Sequence, residues 1–478
     1  MRTNKNKILF YAISILFVAV NLFFIAQDIY YIAFLPVILL FVFAGFFSLD
    51  KVLLAVVFFT PLSVRLDDIF PSIPVNLYLP TEPLLIGILF LFICKLLLDG
   101  YFDKKILVHP LSIAIYINLG WIFLTSFTST MPLVSFKFFL SRIWFVIPMY
   151  FLATQLFKKQ KNIETFQWLY IFALVIVIGY TNYRLSGYGL DNQKASNWVV
   201  WPFFSDHTSY GAMLVMFIFP LFYFLKRKNE GLLQKSLTGL VFLVFIFGII
   251  LSYTRAAWLS LFAAIGLWIL IKLRIKIQTV IIAVFVVVGL FFVLQQDILW
   301  TLEQNEAESS GRFSEHVQSM VNISSDASNL ERLNRWKCAI RMFKEKPFWG
   351  WGPGTYMFQY APFQFSYDRT IISTNFADLG NAHSEYLGPL AESGVFGMLS
   401  ILLVVFMAFR TGYNVYHQTP SKEIKELTLY ILLGLSTYFI HGFLNNFLDT
   451  DKASVPVWGF MAMLVALDVY HKKEQKKK

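Results

Sequence analysis

One apolar run, from Leu237 to Ile271, carries a single charge, Arg255, near its middle. As one helix these thirty-five residues would extend about 52 Å, far more than the roughly 30 Å hydrocarbon core of a bilayer. The run is therefore read as two spans folded back at Ser252–Arg255, with the arginine at a membrane surface. On the face away from the cytoplasm such an arginine meets no nucleotides, but it can hold a lipid-linked phosphate.

Composition agrees. With 57% hydrophobic residues, 14% charged residues and 52 phenylalanines in 478 positions, there is too little polar material to cover a soluble globule of this size. The fold class is all-α, a polytopic membrane protein with about fourteen transmembrane helices (12–14). Candidate spans are 8–26, 29–48, 52–64, 82–98, 110–127, 135–156, 164–183, 207–225, 237–253, 256–272, 278–294, 393–410, 426–445 and 455–470. Residues 1–294 would hold spans one to eleven, 295–392 a large extracytoplasmic helical loop, and 393–478 the last three spans with a basic tail.

Basic residues set the orientation. With Met1 inside, the inner segments hold groups such as Lys104 and Lys105, Lys158 to Lys161, Lys226 and Arg227, Lys272, Lys422 and Lys425, and the C-terminal lysines. These segments take more than half of the 40 Lys and Arg, and much of the remainder lies in the long loop, which the positive-inside rule does not govern. Both termini are expected in the cytoplasm. The net charge of +11 then records topology on anionic lipid, and nucleic acid is not expected as a partner. The first span resembles a signal sequence, but it lacks an Ala-x-Ala site and is expected to stay uncleaved. Cys94 and Cys338 are the only cysteines, too few for a disulfide framework or a metal knuckle.

Polar chemistry is concentrated in the loop. Ser328 and Glu331 form a capping box ahead of Leu330, Leu333, Trp336, Ile340 and Phe343, predicting a helix over 329–344. Pro347 and Gly350-Trp351-Gly352-Pro353-Gly354 stop that helix and turn the chain. The aromatic residues from Trp349 to Tyr367 suit a lipid interface, and equally stacking on sugar rings. A second helix is predicted to start near Asn381, with His383 in its first turn. A helix N-terminus disfavours imidazolium, so this histidine is expected to be neutral and able to accept a proton; a hydrogen-bonded structural histidine is the other reading.

Arg332 and Arg335 lie one turn apart on the loop helix. Arg335 has a local partner in Glu331 at i,i+4, which leaves Arg332 as the ligand-facing one. Lys137 and Arg142 stand near the outer end of the sixth span, where Lys137 is expected to reach the interface with its amine. Membrane-edge cations are costly and suggest function. Arginine offers planar donors to phosphate oxygens and keeps its charge, so it can neutralise a diphosphate leaving group while histidine takes a proton from an attacking hydroxyl. That chemistry needs no metal and no cofactor, and none is expected. Asp449-Thr450-Asp451 and Asp67-Asp68 are not taken as metal sites.

Three pieces together carry a resemblance: Ser252-Tyr253-Thr254-Arg255; Arg332-Leu333-Asn334-Arg335-Trp336 with the glycine-rich turn after it; and His383-Ser384-Glu385-Tyr386-Leu387 ending in Glu392-Ser393-Gly394. In this order they resemble the O-antigen ligase and polymerase superfamily of bacterial glycan ligases. The resemblance implies a glycosyltransferase of the bacterial inner membrane whose donor is an undecaprenyl-diphosphate-linked glycan and whose acceptor is a glycan or lipid. It implies Arg255 and Arg332 as diphosphate ligands and His383 as the base. Ser384 departs from the family pattern, in which asparagine commonly follows the histidine. Arg142, Arg335, His207 and Tyr386 are further candidates for substrate contact. His207 also has a plain reading, as the first residue of a helix capped by Asp206 or Ser205. A polymerase of the same superfamily is the alternative. A lipid-linked oligosaccharide flippase, the rival from another class, should show charges lining the core of both halves, whereas here the spans are nearly free of charge.

Overall fold

The computed structural model of the protein describes residues 2–27, 35–71, 76–100, 102–227, 231–273, 327–370, 373–374 and 380–472. The expected eleventh span, 278–294, and the first part of the loop, 295–326, lie outside the described residues. Among the described residues the chain is all-α apart from a two-residue antiparallel pairing of Val64–Arg65 with Tyr78–Leu79. Its long helices are α1 (Arg2–Ile25), α2 (Leu35–Phe59), α3 (Thr81–Asp99), α4 (Pro110–Phe127), α5 (Pro132–Leu156), α6 (Gln160–Ser186), α7 (His207–Lys226), α8 (Leu232–Leu251), α9 (Arg255–Lys272), α10 (Ala327–Glu345), α11 (Leu387–Gln418), α12 (Lys422–His441) and α13 (Asp451–His471). Among the described residues, nine are long and apolar enough to cross a membrane. This is a multi-pass membrane protein.

The second and third expected spans are one helical stretch, α2, interrupted at Ser48, whose φ of −150° and ψ of 56° are not helical. The arm after Ser48 is only about 16 Å long, too short to cross alone. It packs Leu53, Val56 and Val57 into the core.

Burial separates centre from rim. In α7 and α13, 83% of the apolar window is buried, against 22% in α3, α8 and α9. The rim helices turn large apolar side chains outward, as at Leu97 (79% exposed) and Leu243 (64%). Helices that are apolar all round and face outward in this way are solvated by lipid tails.

The helix ends sort into two polar layers. At one end Asp103 meets Lys158 and Tyr470, Arg227 meets Glu164 and Glu423, and His471 meets the Phe157 carbonyl. This end carries the basic fringe read from the sequence. At the other end α10 and the following turns form a cap. Its core of Cys338, Ala339, Met342, Tyr356, Tyr360 and Phe363 is continuous with Ala382, just before α11, and with Ala391 in its first turns.

The glycine-rich turn docks this cap. Trp351 and Gly352 donate their N–H groups to the carbonyls of Ala391 and Glu392 (3.1 and 2.7 Å), and the Trp351 carbonyl accepts from Thr130 N–H (2.9 Å). Gly352, at φ +119°, leaves no room for a side chain, since a Cβ would lie 1.9 Å from Ser129 Oγ. The aromatic run divides its work. Tyr356 and Tyr360 stack inside the cap, Trp349 stacks on Trp121 of α4, and Phe348, Phe365 and Tyr367 face outward.

Candidate functional site

The hairpin expected at Ser252–Arg255 is present: α8 ends at Leu251, and α9 restarts at Arg255. Tyr253 takes a left-handed φ of +49° to make the turn. Thr254 Oγ1 donates to the His207 carbonyl at the start of α7 (2.8 Å). Only a glycine one turn further along α7 permits this approach, because a Cβ on Gly211 would lie 2.8 Å from the Thr254 side chain. The turn that carries Arg255 is thus pinned against the first turn of α7. His207 opens that helix, and Asp206 caps it by accepting from Thr208 N–H and Ser209 N–H (2.7 and 2.8 Å), as the plain reading expected.

The loop helix runs over Ala327–Glu345. Arg335 makes the expected i,i+4 pair with Glu331, its Nε donating at 2.6 Å, while its guanidinium lies 3.9 Å from the Tyr360 ring centroid and donates to Thr374 Oγ1 (3.1 Å). Burial opposes the Glu331 charge, but donors from Ser373 and Arg335 outweigh it and hold the carboxyl below its ordinary value. Arg335 is therefore a brace within the cap. Arg332 shares its helix face with Trp336, one turn on, and Trp336 Nε1 donates to the His383 carbonyl (3.3 Å). The Arg332 face is consequently the one turned to His383.

The helix expected near Asn381 begins only at Leu387, so His383 is not in a first turn. Asn381 Oδ1 accepts the His383 N–H (3.0 Å) and His383 takes φ +46°, a conformation no α-helix tolerates. Ser384 then supplies the start of α11, its Oγ accepting from the N–H groups of Tyr386 and Leu387 (both 3.3 Å). The histidine is neutral for a different reason from the one expected. Burial, then the positive charges of Arg332 and Arg335, push it from 6.5 down to about 4. Tyr253 and His383 are the two non-glycine residues with positive φ among the described residues. Such strain persists only where the surroundings impose it, and both residues flank this site.

Five elements converge here. His383 is within electrostatic reach of Arg332, Arg335, Glu331 and Asp206; His207 of Asp206, Arg332 and Arg255; and His441, at the end of α12, of Arg332 and Asp206. Arg255, Arg332, His207 and His383 are each partly exposed, whereas His441 is buried. Arg255, Arg332 and His383 therefore share one end of the bundle and one polar cluster. His441 was not singled out from the sequence, where a lone histidine at the close of an apolar helix gives no signal.

Two candidates lie elsewhere in the same layer, occupied by structure. Arg142 pairs with Asp449 and donates to the Leu448 carbonyl. Tyr386 donates to the Phe439 carbonyl (2.8 Å) and packs on Phe443. The acidic doublets are dispersed as well, Asp67 on Arg65 and Asp68 on Trp201 Nε1, with Asp449 on Arg142 and Asp451 on Ser63 and Thr81.

Residues 240–402, which include the hairpin arginine, the cap helix and the His383 loop, match the family described as O-antigen ligase. The chain carries an O-antigen ligase family domain. The match covers about a third of the sequence, and the flanking helices α7 and α12 complete the polar cluster from outside it. No curated protein matches the chain. The likeness over residues 240–402 supports a glycan-processing membrane protein of the ligase and polymerase type.

Proposed function

We propose that the protein transfers a glycan from an undecaprenyl-diphosphate carrier to an acceptor hydroxyl at the outer face of the bacterial inner membrane, with both termini in the cytoplasm. The observation that carries this reading is the meeting of Arg255, Arg332 and His383 in one partly exposed cluster at the end of the bundle opposite the basic fringe. By the positive-inside rule that end faces away from the cytoplasm.

The polyprenyl tail lies among the lipid-facing helices and the diphosphate rests on the two guanidinium groups. His383 takes the proton of the acceptor hydroxyl as its oxygen attacks the anomeric carbon. The bond from that carbon to the phosphate oxygen breaks with inversion, and its electron pair leaves on the diphosphate, where arginine charge stabilises it. A histidine at about 4 is a weak base. An arriving diphosphate offsets the Arg332 charge that helps to depress it, so donor binding strengthens the base it requires.

The test is transfer by purified protein. His383→Ala should bind a prenyl diphosphate as the wild type does and lose about 10²–10⁴-fold in transfer, the usual contribution of a general base; transfer at wild-type rate would remove His383 from this role. Deleting the gene and resolving surface glycans on a gel identifies the acceptor. Lipid-linked chains retained without attachment indicate a ligase, and single-repeat products indicate a polymerase.

A further inference from the structure

His441 closes α12 and is 1% exposed. Asn445 Nδ2 lies 3.0 Å from His441 Nε2. As this amide is oriented it donates, so Nε2 accepts and the ring proton resides on Nδ1. Nδ1 is buried and has no hydrogen-bond partner. The Ala256 carbonyl, one residue beyond Arg255, is near enough to influence the ring but does not stand at hydrogen-bonding geometry to it. The backbone ties this turn to the His383 loop, since Glu385 N–H donates to the Gly442 carbonyl (2.8 Å).

A buried N–H left without an acceptor is costly, because it gives up its hydrogen bond to water and gains none in return, and an apolar side chain in its place would avoid that cost. The cost is recovered if an acceptor arrives from outside. The surroundings say which kind: a donor placed between the Arg255 turn and the His383 loop, within reach of Arg332, suits an anionic oxygen. We propose that His441 is an uncharged third ligand of the diphosphate, donating Nδ1–H to a phosphate oxygen held by Arg255 and Arg332. This inference rests on the donor proposed above. A neutral donor adds a hydrogen bond without a further buried positive charge, and Asn445 is the positioning residue that keeps the proton on the nitrogen facing the anion.

The test uses the full chain in detergent with farnesyl diphosphate as the probe, read by binding isotherms. Asparagine places an amide N–H where Nδ1–H stands, and glutamine places one where Nε2 stands. His441→Asn should bind within about threefold of wild type, and His441→Gln and His441→Phe should each lose about tenfold or more, the scale of a hydrogen bond to a charged group. Equal binding by the Asn, Gln and Phe variants overturns the proposal while leaving the arginines in place. Wild-type protein that ignores farnesyl diphosphate, or Arg332→Ala that binds it normally, overturns the underlying donor assignment instead. Histidine ¹⁵N spectra of unsubstituted protein give a second measurement that does not depend on variants folding. The His441 ring should be the Nδ1–H tautomer and shift when the probe is added; an Nε2–H tautomer, or no shift at a probe concentration that saturates the isotherm, also overturns it.

Discussion

Two polar clusters stand at the same end of this apolar bundle, and they handle charge in opposite ways. In the first, Lys452 Nζ donates to the carbonyls of Thr60 and Ser63 (both 2.7 Å) and to Ser63 Oγ, which in turn donates to Asp451; Thr81 completes the carboxylate. Every member is at most 3% exposed, and Asp451 Oδ1 alone lacks a partner. In the second, Arg255, Arg332, His207 and His383 are partly exposed, and His207 and His441 each hold a buried nitrogen without a hydrogen bond. Charge answered from within the chain joins α2, α3 and α13 together. On the function proposed above, the unpartnered nitrogens of His207 and His441 are where a ligand would complete the structure.

This contrast makes the two clusters fail differently. The largest expected effect is on stability in the closed cluster. Lys452→Met strands the Asp451 carboxylate and should cost about 3–5 kcal/mol, as breaking one side of a buried charged pair does. Adding Asp451→Asn should restore most of the lost melting temperature; a single variant that melts like wild type would mean the cluster does not hold the fold. Next come Arg255→Ala and Arg332→Ala, each expected to raise the transfer barrier by about 2.7–4 kcal/mol with little change in melting temperature. If they melt as early as Lys452→Met, the open cluster is structural and the distinction fails.

A pH series sharpens the same contrast. The acid limb of kcat/KM should lie near the free-enzyme value of about 4 for His383, and the limb of kcat should lie higher, because bound diphosphate counters Arg332. The fold holds His383 below its ordinary 6.5, so its contribution to stability is complete above that value and is lost as pH falls from 6.5 through about 4. Coincident limbs in kcat and kcat/KM would remove the coupling between donor and base. The smallest effect is expected at Tyr386→Phe, which gives up one hydrogen bond to Phe439, about 0.5–1.5 kcal/mol of stability, and should leave transfer unchanged. A large drop in transfer would return Tyr386 to the site.

Much of this was legible residue by residue, because its causes are local. The 329–344 helix expected from apolar periodicity is observed at Ala327–Glu345, and the Glu331–Arg335 pair needs only i,i+4 spacing. The start of α11 was misjudged because Asn381 and the left-handed His383 divert the chain, and Ser384 starts the helix a turn later. Arg142 and Tyr386 looked available because their partners, Asp449 and the Phe439 carbonyl, are remote in sequence.

By itself the sequence determined the membrane class, the hairpin and the arginine at its turn, since a bilayer of limited thickness converts the length of an apolar run into a fold. It also determined which arginine of the loop helix was already engaged. Tertiary structure decided which of the remaining polar groups meet. His207, Arg255, Arg332, His383 and His441 come from five elements, and whether their nitrogens are answered by the chain or left for a ligand depends on side-chain approach across helices, which no local pattern encodes.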